Sequence, residues 1–489
     1  MRQSGILLPI SSLNGKYGIG TLGKEAFAFI DFLRAAGQSC WQILPIGPTS
    51  YGDSPYQSFS AFAGNPYFID LDILCEKGLL TKQECDMHIL PEGNVDYGTL
   101  YNTRPQVLKK AAMRLDSTQA SYRTFCKENA AWLDDYALFM TIKTLQDNLP
   151  LVQWPQHLKN RHSSSVAALQ KTHGYEIEYW KILQYFFYEQ FFNLKKYAAA
   201  KGVDILGDIA IYVSGDSADI WTQPSLFQVD ADFVQSHVSG CPPDRFSPQG
   251  QIWGNPLYDW AYHKKTNFAW WLQRLTHVQK IYDITRFDHF RGLESYYSIP
   301  ANETTAQNGR WKKGPGKAFI DAIKTSLPSM RMIAEDLGFL TEEVYELLRY
   351  SAYPGMKVLQ FAFAEGQSNP YLPHLYHPHC VVYTGTHDNT TAQNWQYVFD
   401  PNEVARAKDY MNCNDSASFA YGFIRLALAS VANLAIIPLA DYLCLGSEGR
   451  INTPQTIGDN WVWRIKKDTL STALEQVIYH LTALYGRLS

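Results

Sequence analysis

Four acidic residues, Asp208, Asp288, Glu335 and Asp388, each close a short apolar run in this 489-residue chain. Asp288 stands in Thr285-Arg-Phe-Asp-His-Phe-Arg-Gly292, just after the apolar Ile281-Tyr282. Side chains alternate faces along a strand, so Ile284, Arg286 and Asp288 point one way and Thr285 and Phe287 the other. A fixed positive charge on the same face lowers the carboxyl pKa and keeps Asp288 ionised. An ionised carboxylate at a strand end can act as a nucleophile. Alone, the pair reads equally well as a structural ion pair at the end of a core strand. The other acids repeat the arrangement, in Leu206-Gly-Asp-Ile-Ala-Ile-Tyr-Val213, Met332-Ile-Ala-Glu-Asp-Leu-Gly338 and Tyr383-Thr-Gly-Thr-His-Asp-Asn389. Histidines adjoin two of them, His289 and His387.

Acids gathered in one place can break a glycosidic bond. Two carboxylates about 5–5.5 Å apart do so with retention: one attacks, while the other protonates the leaving oxygen and then activates the acceptor. Asp288, close to Arg286, suits the attacking role. Glu335 suits the acid/base role, because neighbouring carboxylates raise its pKa and its only cation near in sequence is Arg331. Asp388 is left to clamp substrate hydroxyls and a distorted ring. The rival chemistry is metal-assisted hydrolysis with His289, His387 and the acids as ligands, but no HExxH or comparable spacing occurs.

These roles require the four acids to meet, and the surrounding pattern provides for it. Eight short runs read as strands: Gly5–Ile10, Cys40–Pro45, Val203–Ile209, Tyr282–Asp288, Met330–Glu335, Lys357–Phe363, Val381–Thr386 and Ala435–Leu439. Continuous apolar runs suit strands covered on both faces, as in parallel sheets. Helical patterns lie between them at Glu25–Ala36, Ile177–Ala200, Phe268–Lys280, Ala318–Leu327, Glu342–Tyr350 and Ser418–Asn433. The alternation predicts an α/β chain of one (β/α)8 TIM barrel, although seven or nine strands fit the same pattern. In such a barrel the C-terminal strand ends share one mouth, where all four acids would stand.

Two connections exceed the usual ~2–6 residues of such loops. About 160 residues separate the second and third strands and about 70 the third and fourth. Residues 46–202 are expected to form an insertion subdomain with helices near Arg104–Leu115 and Ala130–Gln146. Residues 214–280 are expected to form a second insertion, with a Pro/Gly-rich, lid-like loop around Cys241–Gly250.

Composition narrows the classes. A net charge of −4 without any basic block argues against nucleic acid and anionic membranes. No apolar run reaches the ~18 residues of a membrane span. The eight cysteines include no CxxC pair, which disfavours zinc and redox motifs and suits a reducing cytoplasm. Met1-Arg2-Gln3-Ser4 runs straight into the first strand, so no signal peptide is expected; a plastid location would require a transit peptide already removed. Aromatics make up 14% of the chain, and Trp and Tyr offer the apolar face and polar tip that sugar rings need. No phosphate-cradling glycine loop implies an organic cofactor.

The quoted acid motifs closely resemble the four signature regions of the amylomaltases, also called disproportionating enzymes or 4-α-glucanotransferases, within the α-amylase clan. The likeness runs nearly end to end, including Leu44-Pro-Ile-Gly-Pro-Thr-Ser-Tyr-Gly-Asp-Ser-Pro-Tyr-Gln-Ser58, Trp253-Gly-Asn-Pro-Leu-Tyr258, Arg450-Ile-Asn-Thr-Pro454 and Asn460-Trp-Val-Trp-Arg464. The resemblance implies Asp288 as nucleophile, Glu335 as general acid/base and Asp388 as transition-state stabiliser. It implies donor-sugar contacts from Asp208, Arg286 and His387, acceptor-side walls from Tyr56 and Trp253 with Phe361 nearby, and a second glucan patch at Tyr51. It further implies transfer of α-1,4-glucan segments among maltooligosaccharides, starch or glycogen, with no metal, no cofactor and no obligate protein partner. A non-catalytic glucan-binding barrel is the alternative class. Three positions depart from the family pattern: Phe287 for an aliphatic residue, Ala440 for a glutamine, and Gln455 for a glycine.

Overall fold

The computed structural model describes residues 2–50, 52–243, 247–364, 368–413 and 415–488. These form twelve strands: β1 (Gln3–Leu7), β2 (Cys40–Gln42), β3 (Asp204–Ile209), β4 (His237–Cys241), β5 (Gln251–Pro256), β6 (Ile284–Phe287), β7 (Ser295–Pro300), β8 (Arg310–Lys313), β9 (Met332–Ala334), β10 (Gly355–Val358), β11 (Cys380–Tyr383) and β12 (Leu434–Pro438). Eight close into a barrel in the order β1-β2-β3-β6-β9-β10-β11-β12. All neighbours are parallel, and β12 returns to β1 with Ile6 opposite Ile437. The eight expected strands are therefore the eight barrel strands. Every residue of β11 and β12 is buried, which is why these strands read as unbroken apolar runs.

Strand ends differ from the reading where the chain leaves the barrel rim. Lys357–Phe363 reads as one strand, yet β10 stops at Val358 and Leu359–Phe361 is a 3-10 turn. Beyond the rim no neighbour offers a ladder; the Gln360 side chain instead donates to the Thr390 carbonyl at 2.7 Å. Between β10 and β11 the described residues form only 3-10 turns, so the sixth unit lacks its α-helix.

The long connections each end in a barrel helix. Gly174–Ala200 packs on the first barrel helix, Lys24–Ala35, through Phe27–Tyr197 at 5.0 Å and a Tyr197 hydroxyl donated to Asp31. Its other face meets Ala120–Leu145 through Trp132–Tyr188 and Tyr136–Trp180. Ala269–Ile281 likewise leads into β6. The remaining strands form an antiparallel sheet, β5-β4-β7-β8, which the strand reading does not name. Its β4–β5 hairpin carries the lid-like loop, of which residues 244–246 lie outside the described ones.

Close packing leaves no room at Gly207, in β3 beside Asp208. A Cβ there would lie 2.2 Å from the Tyr282 ring, which is itself buried. Overpacking of this kind costs about 1–3 kcal/mol. Gly207→Ala is expected to lower the thermal unfolding midpoint by several degrees, measured by calorimetry or circular dichroism.

Candidate active site

Asp208 lies near the C-terminal end of β3, Asp288 and Glu335 directly follow β6 and β9, and Asp388 stands in the loop after β11, around one mouth. Arg286, inside the barrel on β6, organises two of them. Its Nη1 donates to Asp208 Oδ2 at 2.7 Å and to Asp288 Oδ1 at 2.9 Å. Phe287 points the other way, onto Trp271 at 5.7 Å, so the expected alternation of faces holds. The aromatic departure at Phe287 is accommodated by that stacking between strand and helix.

Burial lowers the pKa of Arg286, but flanking Asp208 and Asp288 raise it well above the ordinary value. Burial also raises the Asp208 pKa, against the pull of Arg286. The Asp208 side chain is 0% exposed, Arg286 4% and His387 2%, whereas Asp288 is 26% and Asp388 45% exposed. The three residues expected at the donor sugar thus form the wall of the mouth, and the two acids open into it. Tyr56 ties the wall together: its hydroxyl donates to Asp208 Oδ2 at 2.8 Å and meets His387 Nε2 at 2.9 Å, with the two rings stacked at 5.3 Å.

Glu335 follows β9 and is 8% exposed. Its Oε2 accepts from the His289 amide at 2.6 Å and its Oε1 from the Leu337 amide at 2.8 Å. Burial pushes its pKa up to about 8, with Asp288 adding like-charge repulsion; Arg286 and the two amides pull the other way. The cation that matters here is Arg286. Arg331 stands just before β9, at the opposite end of that strand from Glu335, and pairs instead with Asp204 at 2.7 Å. His289 sits at φ 49° and is kept neutral by burial, which takes its pKa down to about 3.

Asp388 is held by a residue the sequence reading quoted without a role. Asn452 Nδ2 donates to Asp388 Oδ1 at 2.7 Å, and Arg450 Nη2 donates to the Asp388 carbonyl at 3.1 Å. Only their place in the Arg450–Pro454 motif hinted at it. Trp461, from the next motif, leans over Tyr56 and His387 at about 6 Å. Trp253 on β5 stands edge-on to His289 at 4.8 Å, beside the nucleophile candidate. Phe361 ends the turn after β10 and packs on Tyr371 at 5.5 Å. Tyr51 lies outside the described residues. Ala440 is buried, and Gln455 sits at φ 67°, a left-handed conformation that glycine adopts without strain. Among the described residues no group of three or more His, Cys, Asp or Glu side chains is placed to hold a metal ion.

Carboxylates gathered at the mouth of a (β/α)8 barrel, walled by Tyr and Trp rings, define a carbohydrate-active barrel enzyme. The model of the family described as 4-alpha-glucanotransferase matches residues 8–471, and the chain belongs to that family. It is 47% identical over 483 residues to a 4-alpha-glucanotransferase of Clostridium butyricum, covering 98% of this chain and 99% of that one. It is 42% identical to a 4-alpha-glucanotransferase of Thermus thermophilus, covering 96% of each. The amylomaltase from Streptococcus agalactiae, solved in complex with acarbose, superposes with a TM-score of 0.97 at 38% identity over the whole of both chains. The chain is thus a transferase of 4-α-glucanotransferase type.

The raised Glu335 pKa has a consequence for stability. The folded state holds a proton that the unfolded chain releases near pH 4.5. That contribution is full below pH 4.5 and is lost as pH rises through about 8. Relative to Glu335→Gln, which cannot ionise, the wild type is expected to lose on the order of a few kcal/mol between pH 5 and 8, measured as the difference in unfolding midpoint at each pH.

Proposed function

We propose that transfer runs on α-1,4-glucans through a covalent intermediate on Asp288. One observation carries this reading: the Glu335 carboxylate is bonded to the amide of His289, the residue after Asp288. Acid and nucleophile are thereby held in a fixed relation. Arg286 occupies Asp288 Oδ1, so Oδ2 attacks the anomeric carbon. Glu335, protonated at neutral pH because it is buried, gives its proton to the leaving oxygen. The resulting carboxylate is stabilised by the two backbone amides; in the second step it takes the proton of the incoming sugar hydroxyl, whose oxygen bonds the anomeric carbon as the ester bond to Asp288 breaks. Asp388, steadied by Asn452, holds the hydroxyls of the distorted ring. Arg286 and His387 support that ring from the wall, with Asp208 behind them.

Transfer over hydrolysis requires that water be kept from the intermediate while a sugar is positioned. Tyr56, Trp253 and Phe361 supply apolar faces for the acceptor, and the β4–β5 hairpin covers the mouth. Substrates of this reading are maltooligosaccharides and the chains of starch or glycogen; the acarbose bound by the Streptococcus agalactiae relative supports that class. No helix among the described residues is long and apolar enough to cross a membrane. Eight cysteines with no CxxC pair among them suit a cytoplasmic setting.

Maltotriose tests the proposal: glucose and chains longer than the substrate are expected, and products no longer than maltotriose would leave a plain hydrolase. Asp288→Asn should reduce turnover by about four orders of magnitude or more, with the fold retained. The alkaline limb of kcat/KM should fall through about pH 8, as Glu335 loses the proton it must donate.

A further inference from the structure

We propose that Gln455 sets the size of glucan the mouth admits, by bridging it. The inference rests on the reading of Asp288 and Asp388 as groups that act on the sugar. Gln455 belongs to the loop 450–461 that follows β12, the loop whose Asn452 holds Asp388 at the end of β11. Across the mouth, the β4–β5 hairpin presses Trp253 against His289 at the end of β6. In the closed barrel β12 and β6 stand four strands apart, on opposite sides. Gln455 Nε2 donates to Ser247 Oγ at 2.9 Å, joining residues 208 positions apart in sequence. Ser247 is itself fixed: it is buried, and its Oγ donates to the Gly250 carbonyl at 2.7 Å.

The backbone marks this position as more than a surface turn. Gln455 adopts φ 67°, where a residue with a Cβ is strained, and its side chain makes the contact that spans the two loops. A non-glycine residue persists in such a conformation where the surroundings hold it. One bridged loop bonds Asp388 and the other meets His289, the residue after Asp288. A glucan reaching these carboxylates passes beneath the bridge: the end of a short maltooligosaccharide threads in, whereas a long chain lying across the mouth needs the bond to open first. The bond therefore acts as a filter on chain length, paid by long donors and not by short ones.

The test compares kcat/KM for maltotriose and for soluble amylose in wild type, Gln455→Gly, Gln455→Ala and Ser247→Ala. Gln455→Gly removes the bridge and the strain together, so its unfolding midpoint should not fall. The ratio of kcat/KM on amylose to that on maltotriose should rise about fivefold in all three variants, the effect of one neutral hydrogen bond on an opening equilibrium. An unchanged ratio in the two Gln455 variants, with wild type converting maltotriose to glucose and longer chains, overturns the bridge alone. A wild type that fails to disproportionate maltotriose overturns the reading beneath it.

Discussion

One guanidinium nitrogen shared by two carboxylates, inside a closed barrel, is the interaction on which the rest of the site depends. Arg286 is enclosed, and a lone buried cation would be costly; Asp208 and Asp288 together offset that cost. The balance then sets the state of every neighbour. Asp208 is pinned by Arg286 and Tyr56, and Tyr56 in turn meets His387. Asp288 is bonded to Arg286 while facing the mouth. Glu335, buried in the same field with one cation already shared, holds its proton. Burial and the neighbouring Asp288 outweigh Arg286 and the two backbone amides, and so raise the Glu335 pKa.

The barrel makes this possible by bringing strand ends to one rim whatever their separation in sequence. Its closure through β1 and β12 leaves no open edge, so the interior can hold a charged cluster walled from water. The rim is completed by parts that are not barrel at all. The antiparallel sheet brings Trp253 to His289, and the loop after β12 brings Asn452 to Asp388 and Trp461 to Tyr56. Asp208 and Asp388 are thus each held by a side chain from a loop arriving from elsewhere, Tyr56 and Asn452. Such support holds reacting groups to the tolerance that covalent catalysis demands.

Much of this was legible in the chain. The eight barrel strands could be read because a strand buried on both faces leaves a continuous apolar run, a local signal. The pairing of Arg286 with Asp288 followed from two-residue alternation, and the grouping of the four acids from the rule that barrel sites lie at C-terminal strand ends. The β4–β5–β7–β8 sheet was not legible. Two of its strands, Gln251–Pro256 and Arg310–Lys313, are partly exposed and carry no continuous apolar run. The sixth unit shows the converse: no helical pattern is read between Lys357–Phe363 and Val381–Thr386, and the described residues there form only 3-10 turns.

By itself, then, the sequence determined the strands, the acids at their ends and the family to which the chain belongs, because those reside in local period and in contiguous motifs. Tertiary structure alone decided which partner each charge finds. Arg331 pairs with Asp204 and not with Glu335, Arg286 reaches Asp208 as well as Asp288, Asn452 finds Asp388, and Gln455 finds Ser247. Charge and hydrogen-bonding energies depend on distance in space, and folding sets those distances between residues tens to hundreds of positions apart.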